Sequence, residues 1–278
     1  MKQLLTMAVA VGLMGSAPIV AQATPEQDMK EYQAHFHKRF PNVPHDDFVN
    51  GLYALDPEKR SQWEAIEDFP PYTVAVEEGE QLFNTPFANG KTYASCFKNG
   101  GIGIKQDYPY FDTKTGQVKT IEMEINECRV KNGEKPLGYE KGAIASISAY
   151  MSWTSRGNTI NVKIPNDPRA LAAYESGKEH YYAKRGQLNM SCADCHVSYP
   201  GYYVRANILS PGLGQTSHFP TFRSKWQNVG TLHRRYGGCN RQVRAASFAP
   251  QSEEYRNLEY FHTYMSNGLE INGPGSRM

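Results

Sequence analysis

Five consecutive residues constrain this chain more than any others: Cys192-Ala193-Asp194-Cys195-His196. The C-x-x-C-H spacing puts two thiols on one turn with an imidazole directly after them. In that arrangement both sulfurs can add to the vinyl groups of a haem, and the histidine comes to lie under its iron. A thioredoxin-like pair needs a strand ahead of it, and a zinc site needs a second pair of ligands; neither accompanies this motif. The expected cofactor is one haem c, held covalently by Cys192 and Cys195, with His196 on the iron. A small domain of this kind begins with a helix ahead of the motif and closes with a helix packed across it. The fold class expected is therefore mainly α.

The 278 residues suffice for one large or two small domains. Mean hydropathy is −0.61, and a cofactor in the core helps so polar a chain to fold. A formal net charge of +2 leaves recognition to local clusters rather than to a global field, and gives no sign of a nucleic-acid partner. The first residues read as an export signal, 1–23. Lys2 precedes a mostly apolar run, and Ala21-Gln22-Ala23 is a small-x-small cleavage site ahead of Thr24. Gly12, Gly15 and Pro18 interrupt the run and argue against a retained membrane anchor. No other stretch is long enough to span a bilayer. The mature chain is expected outside the cytoplasm, in an oxidising periplasm where c-type haem is attached.

The two halves resemble each other. Glu78-Gly79-Glu80, Leu82-Phe83 and Ser95-Cys96 recur as Ser176-Gly177-Lys178, Tyr181-Tyr182 and Ser191-Cys192. Ala149-Tyr150-Met151-Ser152 recurs as Thr263-Tyr264-Met265-Ser266. Several matches in one order point to a duplicated unit: two cytochrome c-like domains in tandem, 71–160 and 161–278, after an N-terminal extension 24–70. Helices are expected near 28–39, 74–83, 120–132, 141–155, 168–185, 188–196, after Phe222, and over 253–267. Asp167-Pro168 and Gly268 supply an N-cap with proline at the first position and a C-terminal stop. The Gly-, Pro- and Ser-rich stretch 199–222 reads as a loop over the haem.

Cys96 stands where the first motif cysteine would be in the earlier half, but Phe97-Lys98-Asn99-Gly100 follows it. That half therefore cannot attach a c-type haem. Cys128 lies downstream of Cys96 roughly as Cys239 lies downstream of Cys192, at a shorter distance. The expectation is a haem-less first domain closed by a Cys96–Cys128 disulfide; two free thiols are the alternative, which an oxidising compartment disfavours.

Cys239 is left over, which in an exported protein marks a reactive thiol or an intermolecular link. Around it the chain reads His233-Arg234-Arg235-Tyr236-Gly237-Gly238-Cys239-Asn240-Arg241-Gln242-Val243-Arg244, with four arginines and no acid. Such a field favours thiolate and attracts a small dianion, with Arg235 and Arg244 as candidate substrate-binding residues. Gly237-Gly238 permits close approach of a flat group. On spacing and charge Cys239 is the leading distal iron ligand; His233, His218, His262 and Met265 compete. A solvated basic face that docks a partner is the plainer use of the arginines.

With these residues assembled, the chain resembles the SoxA family, the A subunits of the SoxAX cytochrome of thiosulfate oxidation. The resemblance rests on the export signal, the paired halves, the haem motif and above all Arg235 to Arg244. Lack of a first C-x-x-C-H marks the single-haem type. The resemblance implies His196 and Cys239 as axial pair, Cys239 as a cysteine persulfide, and Arg235 holding the anion. It implies a SoxX-like monohaem cytochrome as heterodimer partner, and L-cysteine S-thiosulfotransferase activity joining thiosulfate to a cysteine of a SoxYZ-like carrier. Three other readings remain at this stage: a thiosulfate dehydrogenase forming tetrathionate, a simple electron-transfer cytochrome, and a non-enzymatic subunit that only docks a cytochrome partner.

Overall fold

The computed structural model describes residues 23–204 and 206–277. The expected export signal lies, apart from Ala23, outside the described residues. Thr24 accepts a hydrogen bond from the Gln27 amide while Gln27 reaches back to the Thr24 N–H, a capping box. With Pro25 at the first position it starts α1 (Pro25–Arg39) three residues earlier than expected. A 3-10 segment, His45–Ala54, leads to α2 (Pro57–Glu67), a helix that sequence patterning did not single out. Its start is encoded by Asp56, which caps the Lys59 amide, and Pro57.

The remaining elements run in one order twice. First come α3 (Thr73–Asn84), a hairpin of β1 (Tyr110–Asp112) and β2 (Gln117–Lys119), α4 (Ile121–Lys131) and α5 (Ala143–Trp153). Then come α6 (Pro168–Tyr182), a short hairpin of β3 (Tyr203–Val204) and β4 (Asn207–Ile208), a second hairpin of β5 (Thr221–Arg223) and β6 (Asn228–Gly230), α7 (Leu232–Gln242) and α8 (Glu253–Tyr264). In the long hairpins Phe111 pairs with Val118 and Phe222 with Val229. A last strand, β7 (Gly275–Arg277), runs parallel to β5.

Two glycines explain the closest packing. A methyl on Gly79 of α3 would lie 1.9 Å from the Ser146 carbonyl oxygen of α5, and one on Gly177 of α6 would lie 2.0 Å from that of Asn257 on α8. Only a residue without a side chain lets either pair cross so tightly. One core gathers Tyr72, Phe83, Ile121, Ile125, Ile144 and Met151; the other gathers Phe36, Phe48, Tyr174, Tyr181, Phe261 and Met265. Residues 157–162 cross between the two, with Ile160 N–H donating to the Leu269 carbonyl.

Two expectations need correction. No helix covers 188–196. Gly186 and Asn189 take left-handed φ values of 69° and 48°, and Arg185 pairs with Met190, so a tight reversal occupies this stretch. Helical backbone begins only at Cys192. There Ser191 Oγ accepts from the Asp194 N–H while the Asp194 carboxylate accepts from the Ser191 N–H, and the turn widens to a π-helical form over Asp194–Ser198. Likewise, strands β5 and β6 come before the helix expected after Phe222; the β-branched and aromatic run Thr221-Phe222 favours the sheet. Among the described residues no helix is long and apolar enough to cross a membrane.

Candidate functional site

Helix α7 carries the key side chains because Thr231 accepts a hydrogen bond from the Arg234 N–H and fixes the register of the first turn. From there Arg235 and Cys239, four residues apart, share one face. The equivalent helix α4 is capped in the same way by Thr120. Cys128 and Cys239 each stand eight residues beyond their threonine caps. In the first half Cys128 is bonded to Cys96; Cys239 carries a free thiol, as do Cys192 and Cys195. The two cysteines that correspond to the first motif cysteine and to the candidate distal ligand are thus joined directly where no haem motif exists.

The turn with Cys192, Cys195 and His196 faces α7. Ser210 O lies 2.9 Å from His196 Nδ1 and accepts its proton, which leaves Nε2 free to bind a metal. Gln215 lies 2.7 Å from the same Nδ1 through its amide and 2.6 Å from Ser210 Oγ. The contacting atom is Gln215 Nε2, which donates to Ser210 Oγ, so the Gln215 amide ties Ser210 to the imidazole.

The three thiols fall into two classes. Burial pushes Cys192 up to about 12, helped by the negative charge of Cys239, and raises Cys195 in the same way. Burial also raises Cys239, but the Arg235 guanidinium, a hydrogen bond and charge from His196, and Arg223 outweigh it and bring the thiol to about 7. Two buried sulfurs that stay neutral suit thioether formation; the third is a thiolate facing an imidazole.

The donor set fits haem c. A methyl added at Gly238 would meet only Arg235 Nη1, at 3.9 Å, and one at Gly237 would meet first the Arg241 guanidinium, at 3.4 Å. His218 Nδ1 and His262 Nε2 are buried without partners. The competing distal ligands have other engagements. His233 accepts from the Gln251 N–H and faces the Glu259 carboxylate at 3.0 Å. His262 Nδ1 lies 3.1 Å from the Tyr236 hydroxyl, and Met265 is packed in the core beneath α8.

The arginines divide. Arg235 acts on Cys239 directly. Arg234 turns away, bonding Asn228 Oδ1 and stacking on Trp226 at 4.3 Å. Arg244 lies past the end of α7 on an exposed turn with φ 58°. Arg223, from β5, joins Arg235 among the cations bearing on Cys239. Sequence reading did not single it out, because only the hairpin brings it to α7. Its one signal is the repeat itself: Tyr108-Pro109-Tyr110-Phe111-Asp112 aligns with Phe219-Pro220-Thr221-Phe222-Arg223, with a cation in place of an anion.

A half-buried C-x-x-C-H turn opposed by the Cys239 sulfur defines a c-type cytochrome with a sulfur donor across from its histidine. The SoxA/TsdA cytochrome c domain family matches residues 78–160. The L-cysteine S-thiosulfotransferase subunit SoxA of Allochromatium vinosum is 54% identical, over 99% of this chain and 97% of the relative. That of Chlorobaculum tepidum is 57% identical over 94% and 91%. In the crystal structure of SoxXA from P. pantotrophus, a chain 33% identical superposes with a TM-score of 0.71 over 78% of this chain and 84% of the other. The chain belongs to the SoxA family of L-cysteine S-thiosulfotransferase subunits, and its cofactor is covalently bound haem c.

Proposed function

We propose that this chain joins thiosulfate oxidatively to a cysteine of a SoxYZ-like carrier protein in the periplasm, as the A subunit of a heterodimer with a SoxX-like monohaem cytochrome. The observation that carries the reading is the unpaired Cys239, brought down to about 7 by Arg235, His196 and Arg223 against its own burial. Cys239 also lies on the face of α7 that meets His196, where Arg235 and Arg223 bear on it.

In this reading residues 71–160 and 161–278 are two cytochrome c-like domains following the extension 24–70. The repeated element order, the paired glycine crossings and the matched positions of Cys128 and Cys239 support the duplication. The first domain holds no haem; the Cys96–Cys128 bond ties the end of the 3-10 turn Tyr93–Ser95 to α4, the two positions that a haem would otherwise span. Cys192 and Cys195 would hold a single haem, and His196 and Cys239 would supply the donors to its iron.

When bound, the haem supplies one-electron acceptance next to sulfur. The chain's own residues do the rest. Arg235, with Arg223 behind it, offsets the two charges of thiosulfate and aims its terminal sulfur at Cys239. Arg244, exposed beyond α7, would meet the anion or the carrier at the rim. The net reaction takes thiosulfate and a carrier thiol to a carrier S-thiosulfonate, one proton and two electrons. Loss of two electrons would join the Cys239 sulfur, as thiolate or persulfide, to the terminal sulfur of thiosulfate; attack of the carrier thiolate on that thiosulfate sulfur would then form the carrier sulfur–sulfur bond and release the Cys239 sulfur as its anion.

The test combines purified chain, its cytochrome partner, reduced carrier and thiosulfate. Expected is carrier modification by one thiosulfate group, abolished by Cys239→Ala. Tetrathionate formed at full rate without carrier would overturn the assignment, and full activity of Cys239→Ala would reduce the chain to an electron carrier. A Cys239 peptide isolated without reductant should be heavier by about 32 Da, one sulfur atom.

A further inference from the structure

The backbone that carries His196 is held from outside by one helix. At the end of the π-helical turn and just past it, the carbonyls of Val197, Ser198 and Pro200 all accept hydrogen bonds from α1. His35 Nε2 donates to Val197 O at 3.2 Å, Arg39 Nη1 to Ser198 O at 2.7 Å, and Arg39 Nη2 to Pro200 O at 3.3 Å. The last carbonyls of a helical turn have no partners within it, and a cation beside them opposes their partial negative charge. Arg39 occupies that place.

The same face of α1 is anchored along its length. The Tyr174 hydroxyl donates to Asp28 at 2.9 Å, and Lys178 pairs with the same carboxylate. The hydroxyls of Tyr32 and Tyr181 meet at 3.0 Å, and Gln33 donates to the Met265 and Asn267 carbonyls at 3.2 and 3.0 Å. Residues 28, 32, 35 and 39 follow helical periodicity, so one stripe makes these contacts, with Gln33 beside it. The tyrosine pair closes over Gly212, where a methyl would lie 2.1 Å from the Tyr32 oxygen. Gly212 N–H in turn donates to the His196 carbonyl at 2.8 Å. Every backbone carbonyl from His196 to Ser198 is thereby held by α1 or by the loop that α1 pins.

We propose that α1 is a clamp on the haem-motif turn, and that Arg39 and His35 are positioning residues for His196. The inference rests on His196 being an iron ligand. A helix from the N-terminal extension would then set the imidazole's angle and distance without touching the cofactor.

The experiment uses full-length, haem-loaded Arg39→Ala, alone and with His35→Ala, against Arg39→Lys. Amide hydrogen exchange at Val197, Ser198 and Tyr199 should quicken at least about tenfold in the double variant, as expected when several capping bonds are lost. The low-spin electron paramagnetic resonance signal should broaden or split, and Arg39→Lys should restore most of both. Lys30→Ala, on the exposed face, should change neither. If Arg39→Ala lowers the yield of haem-loaded protein, His35→Ala alone, which removes only the bond to Val197 O, should still quicken exchange at Val197 and Ser198 and broaden the signal, and no change in either would overturn the clamp. Unchanged exchange and an unchanged signal in the double variant would overturn the clamp. Retention of the wild-type signal by His196→Ala would overturn the ligand assignment instead, whatever Arg39 does.

Discussion

Replacement of Gly177 by alanine tests the packing that holds the haem motif in place. The new Cβ would stand 2.0 Å from the Asn257 carbonyl oxygen, 2.6 Å from its carbon and 2.9 Å from Phe261 Cβ. Two of those three atoms are backbone, so no side chain can swing aside. α6 and α8 must separate by roughly 1 Å to restore van der Waals contact. Overpacking of this kind costs about 1–3 kcal/mol, toward the upper end where backbone must move. Alanine's better helix propensity returns about 1 kcal/mol. The net expectation is a loss of about 2 kcal/mol, or about 4–8 °C in Tm for a unit of 150–250 residues. Because α6 leads into the haem motif, the visible haem band should report the transition at the same lowered temperature as far-ultraviolet circular dichroism. Gly79→Ala should act similarly through Ser146. Gly138→Ala, whose methyl meets nothing within 4 Å, should be silent. A Gly177→Ala protein as stable as the parent would refute the helix crossing.

Further outcomes follow from other parts of the molecule. Loss of the Cys96–Cys128 bond, with its 32-residue separation, should lower stability by about 4 kcal/mol if chain entropy dominates; denaturant midpoints of Cys96→Ser/Cys128→Ser against the parent read this directly, and equal midpoints would contradict it. Arg223→Gln should raise the thiosulfate KM by about 10- to 100-fold, the worth of a charge-assisted hydrogen bond, with smaller effect on binding of the cytochrome partner; an unaltered KM would remove Arg223 from the anion site. Burial and then the Arg185 charge hold His180 down to about 4. Its native form therefore binds fewer protons than the unfolded chain as pH falls from about 6.5. Stability is full above that pH and is lost through about pH 4, by up to about 3 kcal/mol. His180→Gln should flatten urea midpoints measured between pH 7 and 4.5, and an unchanged slope would assign the loss elsewhere.

Local chemistry was legible from the sequence. A haem motif, the arginines around Cys239, the Asp167-Pro168 cap and the Cys96/Cys128/Cys239 arithmetic are all short-range facts, and the helical stretches expected at 28–39, 74–83, 120–132, 141–155, 168–185 and 253–267 correspond to α1, α3, α4, α5, α6 and α8. The reversal at 185–190 was misread as helix because Asn189 and Gly186 take left-handed backbone that composition alone does not reveal. α2 was passed over because none of its residues is fully buried, which leaves little apolar periodicity to read.

The sequence by itself determined which groups were available: three thiols without a disulfide partner, one imidazole beside two of them, and a run of arginines. Tertiary structure decided which of those groups meet. Arg223 reaches Cys239 only because the β5–β6 hairpin folds back on α7, and α1 reaches the carbonyls after His196 only by crossing from the other end of the chain. Contacts between residues far apart in sequence depend on the packing of whole helices. That packing is set by glycine crossings and buried aromatic faces summed over both halves, and no short window of residues contains it.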